Sequence, residues 1–315
     1  MDQEKEKEIE SNNDSNQDKV KTIKHLVIAG GGVSGLMAFG VLRKTHDEGI
    51  WNIDNIESIY GTSIGALLAV TLSLKYDLQE IEDYLIQRPW HHVFKYDIYS
   101  IFGAFEKCGI FNVSVIEEMF RPLFNGMDIS MNITMLEFYE LTHIDIHTYC
   151  TDINDFLTVD ISHKTHPDWR VIDAVYASTC LPIFFTPFSK DGRFYVDGGV
   201  FLNYPLDPCI QNVVDPDEIL GIRKKYIRSD NDSIHDTSNL MDYILILLNK
   251  TLKTISQGKE IHKIKNEYEI EAAVISAIDL FKMASSEEDR RGWIAGKPTV
   301  SPATPSLKGN HVKGT

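Results

Sequence analysis

The chain is poor in the residues that build a disulfide framework or a metal cluster. Its four cysteines, Cys108, Cys150, Cys180 and Cys209, form no Cys-x-x-Cys pair and have no histidine at zinc-finger spacing, so ordinary buried thiols are expected rather than a metal site. No calcium-binding loop is present either, and metal independence with no cofactor is the expectation. Long apolar runs are missing too: none approaches the ~20 residues that a membrane-crossing helix needs, and the longest late one is Tyr243 to Leu248. The first residues, Met1 to Glu8, are charged where a secretory signal would be apolar. The expected setting is therefore intracellular and reducing, with the protein soluble or peripherally membrane-associated. Positive charge is scarce, because 31 Lys+Arg against 46 Asp+Glu leave a formal charge of −15. That argues against nucleic acid as a partner, since such surfaces work by counterion release, and it gives no general attraction to anionic membranes. Any peripheral membrane contact must rest on apolar patches or a local basic stripe.

What remains is a composition of 43% hydrophobic and 24% charged residues over 315 positions, enough to bury the core of one large α/β domain. Residues 1–21 and 296–315 are polar or Pro/Gly/Ser-rich and read as a disordered leader and tail, leaving 22–295 as the folded part. No internal repeat is visible. Ile23 to Ala29 is a β-branched run that leads into three glycines and then a helical pattern through Leu42. The same order repeats with Ile56 to Tyr60, the turn Gly61 to Gly65, and an apolar helix from Ala66 to Leu74. Two strand–turn–helix units in succession favour a parallel sheet covered on both faces. Asp77 caps a further helix. Later strands are expected at His143 to Cys150, Phe156 to Asp160, Phe194 to Asp197 and Ile219 to Ile222, and helices at Arg170 to Ser178, Leu240 to Ile255 and Glu267 to Lys282.

Three glycine-bearing turns carry candidate chemistry. Gly61-Thr62-Ser63-Ile64-Gly65 fits Gly-x-Ser-x-Gly with a strand before it and a small-residue helix after it. In that setting a serine sits on a strained turn with its Oγ projecting from the sheet edge. Gly30-Gly31-Gly32-Val33-Ser34-Gly35 has two readings. It satisfies the G-x-G-x-x-G of a dinucleotide-binding loop, but such a site wants an acid roughly 20 residues on, at the end of the second strand. Here that strand ends in Gly61-Thr62-Ser63, and Glu57 stands at its start, which favours consecutive glycine amides bared toward an oxyanion. Phe194 to Gly199 ends a strand in Asp197 followed by two glycines. Alone this is a common turn, yet it sets an acid at the end of a strand, where open α/β sheets place their sites.

In this order the three motifs resemble the patatin-like phospholipases. Ala177 to Pro187 is similar to the Ala-Ser, Pro and Phe-x-Pro segment that precedes that family's aspartate, and Asn203-Tyr204-Pro205 is similar to its Asn-x-Pro turn. The match runs from about Leu26 to Leu206, with Tyr149 to Asp152 as a weaker echo. The resemblance implies a three-layer α/β fold with a central, mainly parallel sheet covered by helices. It also implies a Ser–Asp dyad, with Ser63 as nucleophile, Asp197 as its base and the amides of Gly30, Gly31 and Gly32 as oxyanion donors. The implied activity is lipid acyl-ester hydrolysis of the phospholipase A, lysophospholipase or lipase type, through an acyl-enzyme. The alternatives are a dinucleotide-binding protein and a catalytically inactive lipid-binding protein. Many relatives put Lys or Arg in the glycine loop where this chain has Ser34, with Arg43 as a candidate substitute.

Eleven histidines keep a triad open. Of those following Asp197, namely His235, His262 and His311, only His262 stands outside a polar or tail segment. His91 and His92 precede the acid and read as loop residues. Trp90, Phe94, Tyr96, Tyr99, Phe102 and Phe105 are either an interfacial lip or core, and Lys250 to Lys265 is a locally basic amphipathic stretch interrupted by Gly258. The oligomeric state and the substrate's headgroup are not legible.

Overall fold

Two wholly buried stretches form the centre of a sheet. His25–Ile28 (β1) and Ser58–Thr62 (β2) are buried along their whole length, as strands covered on both faces must be. The computed structural model describes residues 21–95, 98–227, 233–236, 238, 240–257, 262–272 and 282–296; the expected leader and tail, apart from Lys21 and Gly296, fall outside them. Between and after the first strands come the helices Gly35–Asp47 (α1), Ile64–Ser73 (α2), Leu78–Gln87 (α3) and Ile98–Lys107 (α4), then the short strand Gly109–Phe111 (β3). Helices Ser114–Gly126 (α5) and Met135–Thr142 (α6) lead to the hairpin Asp145–Asp152 (β4) and Leu157–Ile161 (β5). Helix Val171–Thr179 (α7) precedes strands Ile183–Phe185 (β6), Phe188–Lys190 (β7) and Arg193–Asp197 (β8). Then follow Leu206–Asn212 (α8), Ile219–Tyr226 (β9), Leu240–Gln257 (α9), Asn266–Ala272 (β10) and Glu287–Ala295 (α10).

Sheet order is β10-β9-β1-β2-β4-β8-β7, with β5 also on β4 and β3 paired separately with β6. The run from β10 to β4 is parallel throughout, and β5, β8 and β7 are antiparallel additions. Side-chain alternation sends Leu26, Ile28, Ile59, Ile146 and Cys150 into the larger core with α1, α2 and α7, whereas Val27, Tyr60 and Tyr149 enter a smaller one with Leu206 and Cys209 of α8. Layers on both faces agree with the fold expected from sequence. Helix α7 is buried at every residue.

One register detail positions everything that follows. β4 pairs with β2 up to Tyr149↔Thr62 and with β8 from Cys150↔Asp197 onward, while β5 spans Thr148 to Asp152 on the other side. Hence β2 and β8 lie in line along one flank of β4, and their C-terminal ends abut.

The opposite edge of the sheet, where β4 begins, carries a dense charge cluster. The buried His147 bonds Asp160 at 2.8 Å, Asp145 lies 2.9 Å from His163 and 2.6 Å from Lys164, and Tyr60 stacks on His147 with centroids 4.3 Å apart.

One expectation needs correction, and two open readings are decided in part. Glu267 to Lys282 was expected as a helix, but its described part is strand β10: Glu267, Glu269 and Glu271 alternate, and Arg223 pairs with Glu267 and Glu269 while Lys225 pairs with Glu269 and Glu271 on β9. The period is two, not 3.6. Trp90 is core, packed with Val93 and Val115, and Phe94 lies against Phe111; Phe105 is 89% exposed, and Tyr96 and the side chains of Tyr99 and Phe102 lie outside the described residues. The basic stretch is split, since α9 ends at Gln257 and Ile264 is buried. No helix among the described residues is long and apolar enough to cross a membrane.

Candidate active site

Ser63 occupies the one-residue turn between β2 and α2 with φ 55° and ψ −122°, a backbone conformation that costs a non-glycine residue on the order of 1–3 kcal/mol. Its surroundings hold it there. Its N–H donates to Ser178 Oγ at 2.9 Å, and that hydroxyl donates to the Tyr149 carbonyl at 2.6 Å. The turn is tight because α2 begins against β1: a Cβ on Gly65 would lie 2.2 Å from the Ile28 carbonyl oxygen. The helix N-terminus that results favours negative charge at Ser63.

Asp197 arrives at the end of β8, where that strand meets the end of β2. It is held on the main chain by its N–H to the Cys180 carbonyl at 3.1 Å and by Thr151 Oγ1 donating to its own carbonyl at 3.3 Å. The Ser63 hydroxyl donates to Asp197 Oδ2 at 2.5 Å, and the Gly199 N–H donates to Oδ1 at 2.7 Å. Burial pushes the carboxyl up to about 6, against the pull of these two hydrogen bonds. No histidine is among the partners of Ser63 or Asp197 in the described residues. His262 is exposed and bonds Asp207 at 2.8 Å, His91 and His92 are exposed on a short turn after α3, and His311 lies outside the described residues.

The glycine loop sits beside the serine. A Cβ on Gly30 would come within 3.2 Å of Ser63 Cβ. The Gly30 N–H, however, is taken by the Asn203 carbonyl at 2.9 Å, and Asn203 Nδ2 returns a bond to the Gly30 carbonyl at 3.2 Å. Of the three expected donors, Gly30 is thus committed to the turn that follows Asp197. The amides of Gly31 and Gly32 donate to no protein acceptor among the described residues, and Gly32 has φ 53°, the left-handed region that glycine enters without penalty. The Gly31 carbonyl is fixed by Ser34 Oγ at 2.7 Å.

Arg43 does not reach this loop. Its guanidinium is bound to Glu82 and, at 2.6 Å, to Gln79, tying α1 to α3. Lys224, which the sequence reading passed over, does reach it: a Cβ on Gly31 would lie 3.1 Å from Lys224 Cδ and 3.7 Å from its Nζ. The signal was present in Arg223-Lys224-Lys225, where the outer two residues have glutamate partners and the middle one points to the other face.

Comparison with known proteins adds an independent line. The family model for patatin-like phospholipase matches residues 26–210, the span that holds the glycine loop, Ser63 and Asp197. An uncharacterized protein of Acanthamoeba polyphaga mimivirus is 26% identical over 250 residues, covering 78% of this chain and 80% of its own. A probable lipid hydrolase of Invertebrate iridescent virus 6 is 24% identical, covering 74% of this chain and 80% of its own. A cGAMP-activated phospholipase of Escherichia coli is 25% identical, covering 58% of this chain and 53% of its own.

Proposed function

Because the chain belongs to the patatin-like phospholipase family, and so to the carboxylic ester hydrolases acting on lipid, we propose that it cleaves lipid acyl esters through a Ser63–Asp197 dyad. The observation that carries this reading is the 2.5 Å hydrogen bond from Ser63 Oγ to Asp197 Oδ2. Asp197 takes the serine proton as Oγ attacks the ester carbonyl, the amides of Gly31 and Gly32 receive the oxyanion, and the alcohol leaves with the proton. Water, activated by the same carboxylate, then releases the fatty acid. Dyad chemistry asks more of an acid than of an imidazole, and burial supplies part of the difference by making Asp197 a stronger base than a solvated carboxylate. One catalytic domain spanning 22–295 is part of the proposal.

The elbow favours this over dinucleotide binding, since β2 ends in a strained serine rather than an acid for a ribose. An inactive lipid binder is separated by experiment. Ser63 should react with a fluorophosphonate probe, and Ser63→Ala should abolish both labelling and ester hydrolysis while the circular dichroism spectrum is kept. Full hydrolysis by a folded Ser63→Ala protein would refute the assignment.

A further inference from the structure

The cation that the glycine loop lacks is delivered by a different strand. On β9, side chains alternate: Arg223 and Lys225 are engaged by Glu267, Glu269 and Glu271 of β10, whereas Lys224 lies on the other face, opposite Ile270, with no carboxylate partner among the described residues. Its ammonium rests over the Tyr226 ring, 4.6 Å from the centroid, and burial lowers its pKa to about 8. It therefore stays charged at neutral pH with no carboxylate paired to it among the described residues.

Its position is set by register. β9 pairs with β1 through Ile28↔Ile222, so two residues further along β9 the lysine stands beside the loop into which β1 runs. Gly30 borders Ser63 and Gly31, the next residue, borders Lys224. The amides of Gly31 and Gly32, which the proposed mechanism gives to the oxyanion, follow Gly30 in this loop, so the lysine flanks the oxyanion position. A phosphate seated beyond the oxyanion, against Lys224, would gain a full charge partner and a charge-assisted hydrogen bond. In a glycerophospholipid the phosphate is only a few bonds from the scissile ester. Lys224 also lies beyond the span matched by the family model, 26–210.

We propose that Lys224 is the headgroup-reading residue of this site, binding the phosphate of a glycerophospholipid whose acyl ester faces Ser63. This rests on the hydrolase reading but is tested apart from it, by binding to Ser63→Ala protein. The probes are monomeric dihexanoyl phosphatidylcholine and the matched neutral dihexanoylglycerol. Lys224→Met should lower the affinity ratio between them by about 10- to 100-fold, the scale of one or two charged hydrogen bonds, and Lys224→Arg should restore most of it. A merely structural lysine would weaken both ligands alike. An unchanged ratio in Lys224→Met overturns the inference, whatever the absolute affinities. So does displacement of neither lipid combined with Lys224-dependent binding of inorganic phosphate, which would make this a free-phosphate site. Failure of the hydrolase reading would appear instead as wild-type protein inert to the fluorophosphonate probe.

Discussion

Where β4 begins, Asp145 is surrounded by His147, His163 and Lys164; toward the end of β4, Asp197 has one hydroxyl, one amide and no cation paired with it among the described residues. The two aspartates stand at opposite edges of one sheet, and their environments drive them apart. Burial by itself would raise Asp145, but His147 and Lys164 overcome it and hold the carboxyl far below its ordinary range. Burial likewise depresses His147, yet Asp145 and Asp160 lift it to about 9. At Asp197 burial is opposed only by two hydrogen bonds, and the acid rises to about 6. A carboxylate with cations is spent as a base, because its proton affinity is gone. One without them keeps it, which is what proton abstraction from a serine requires.

The strongest way to break this contrast is Asp197→Asn, which keeps the shape and removes the base. Hydrolysis should fall by ~10²- to 10⁴-fold, measured as kcat/KM on a soluble acyl ester, while His262→Ala should leave it close to wild type. An active Asp197→Asn enzyme beside a folded but dead His262→Ala one would replace the dyad with a triad. The same Asp197→Asn change should stabilise the fold at neutral pH. A raised folded-state pKa means that the protonated form favours folding below the unfolded value of 3.8 and that this benefit is lost as pH rises through about 6. Thermal unfolding should show Asp197→Asn with the higher Tm at pH 7.5, reflecting a stabilisation on the order of 3 kcal/mol or less, and the gap closing near pH 4.

Next in size is Gly31→Ala. The added Cβ would meet Ser34 Oγ at 2.3 Å and Lys224 Cδ at 3.1 Å, both movable ends of side chains, so the protein should fold with its loop displaced. Turnover should drop ~10²-fold, the scale of losing one oxyanion donor. Full activity in a folded Gly31→Ala protein would reduce the loop to a connector.

The smallest effect on chemistry, and one confined to stability, is expected at the other edge. His147→Gln removes a histidine whose raised pKa stabilises the fold fully below the unfolded value of 6.5 and progressively less as pH climbs through about 9. Its Tm deficit should be largest at pH 6 and shrink by pH 9.5, with activity per folded molecule preserved. A pH-independent deficit would assign His147 to packing against Tyr60 alone.

Much of the catalytic edge was legible because it is local. Glycine spacing around Ser63, the loop before α1 and the turn after Asp197 are written in consecutive residues, and so is the apolar order of β1 and β2. What stayed hidden depends on register between distant strands. Lys224 is one of three consecutive basic residues until β10 claims its neighbours. The Gly30 amide looks free until Asn203 is folded onto it. Asp197 stands at a strand end as expected, but the sequence does not show that β8 runs antiparallel to β4 and meets the end of β2. β10 was mistaken for a helix because its glutamates suit either period when their partners on β9 are unseen. Helix α6 could have been found from its capping box, Thr134 with Glu137.

The end-to-end meeting of β2 and β8 along β4 also bears on when the molecule becomes dangerous to lipid. Ser63 and Asp197 are 134 residues apart, and chains emerge and fold from the N-terminus. A nascent chain that has completed its first strand–turn–helix units contains the serine turn, but lacks both the Ser178 hydroxyl that anchors its amide and the acid. Under the proposed dyad, nothing takes the proton until β8 has been made and laid against β4. On that reading acyl hydrolysis begins only once the central layer is closed, and turnover serves as a clock for that closure, starting after the backbone signals of the early strands have already matured.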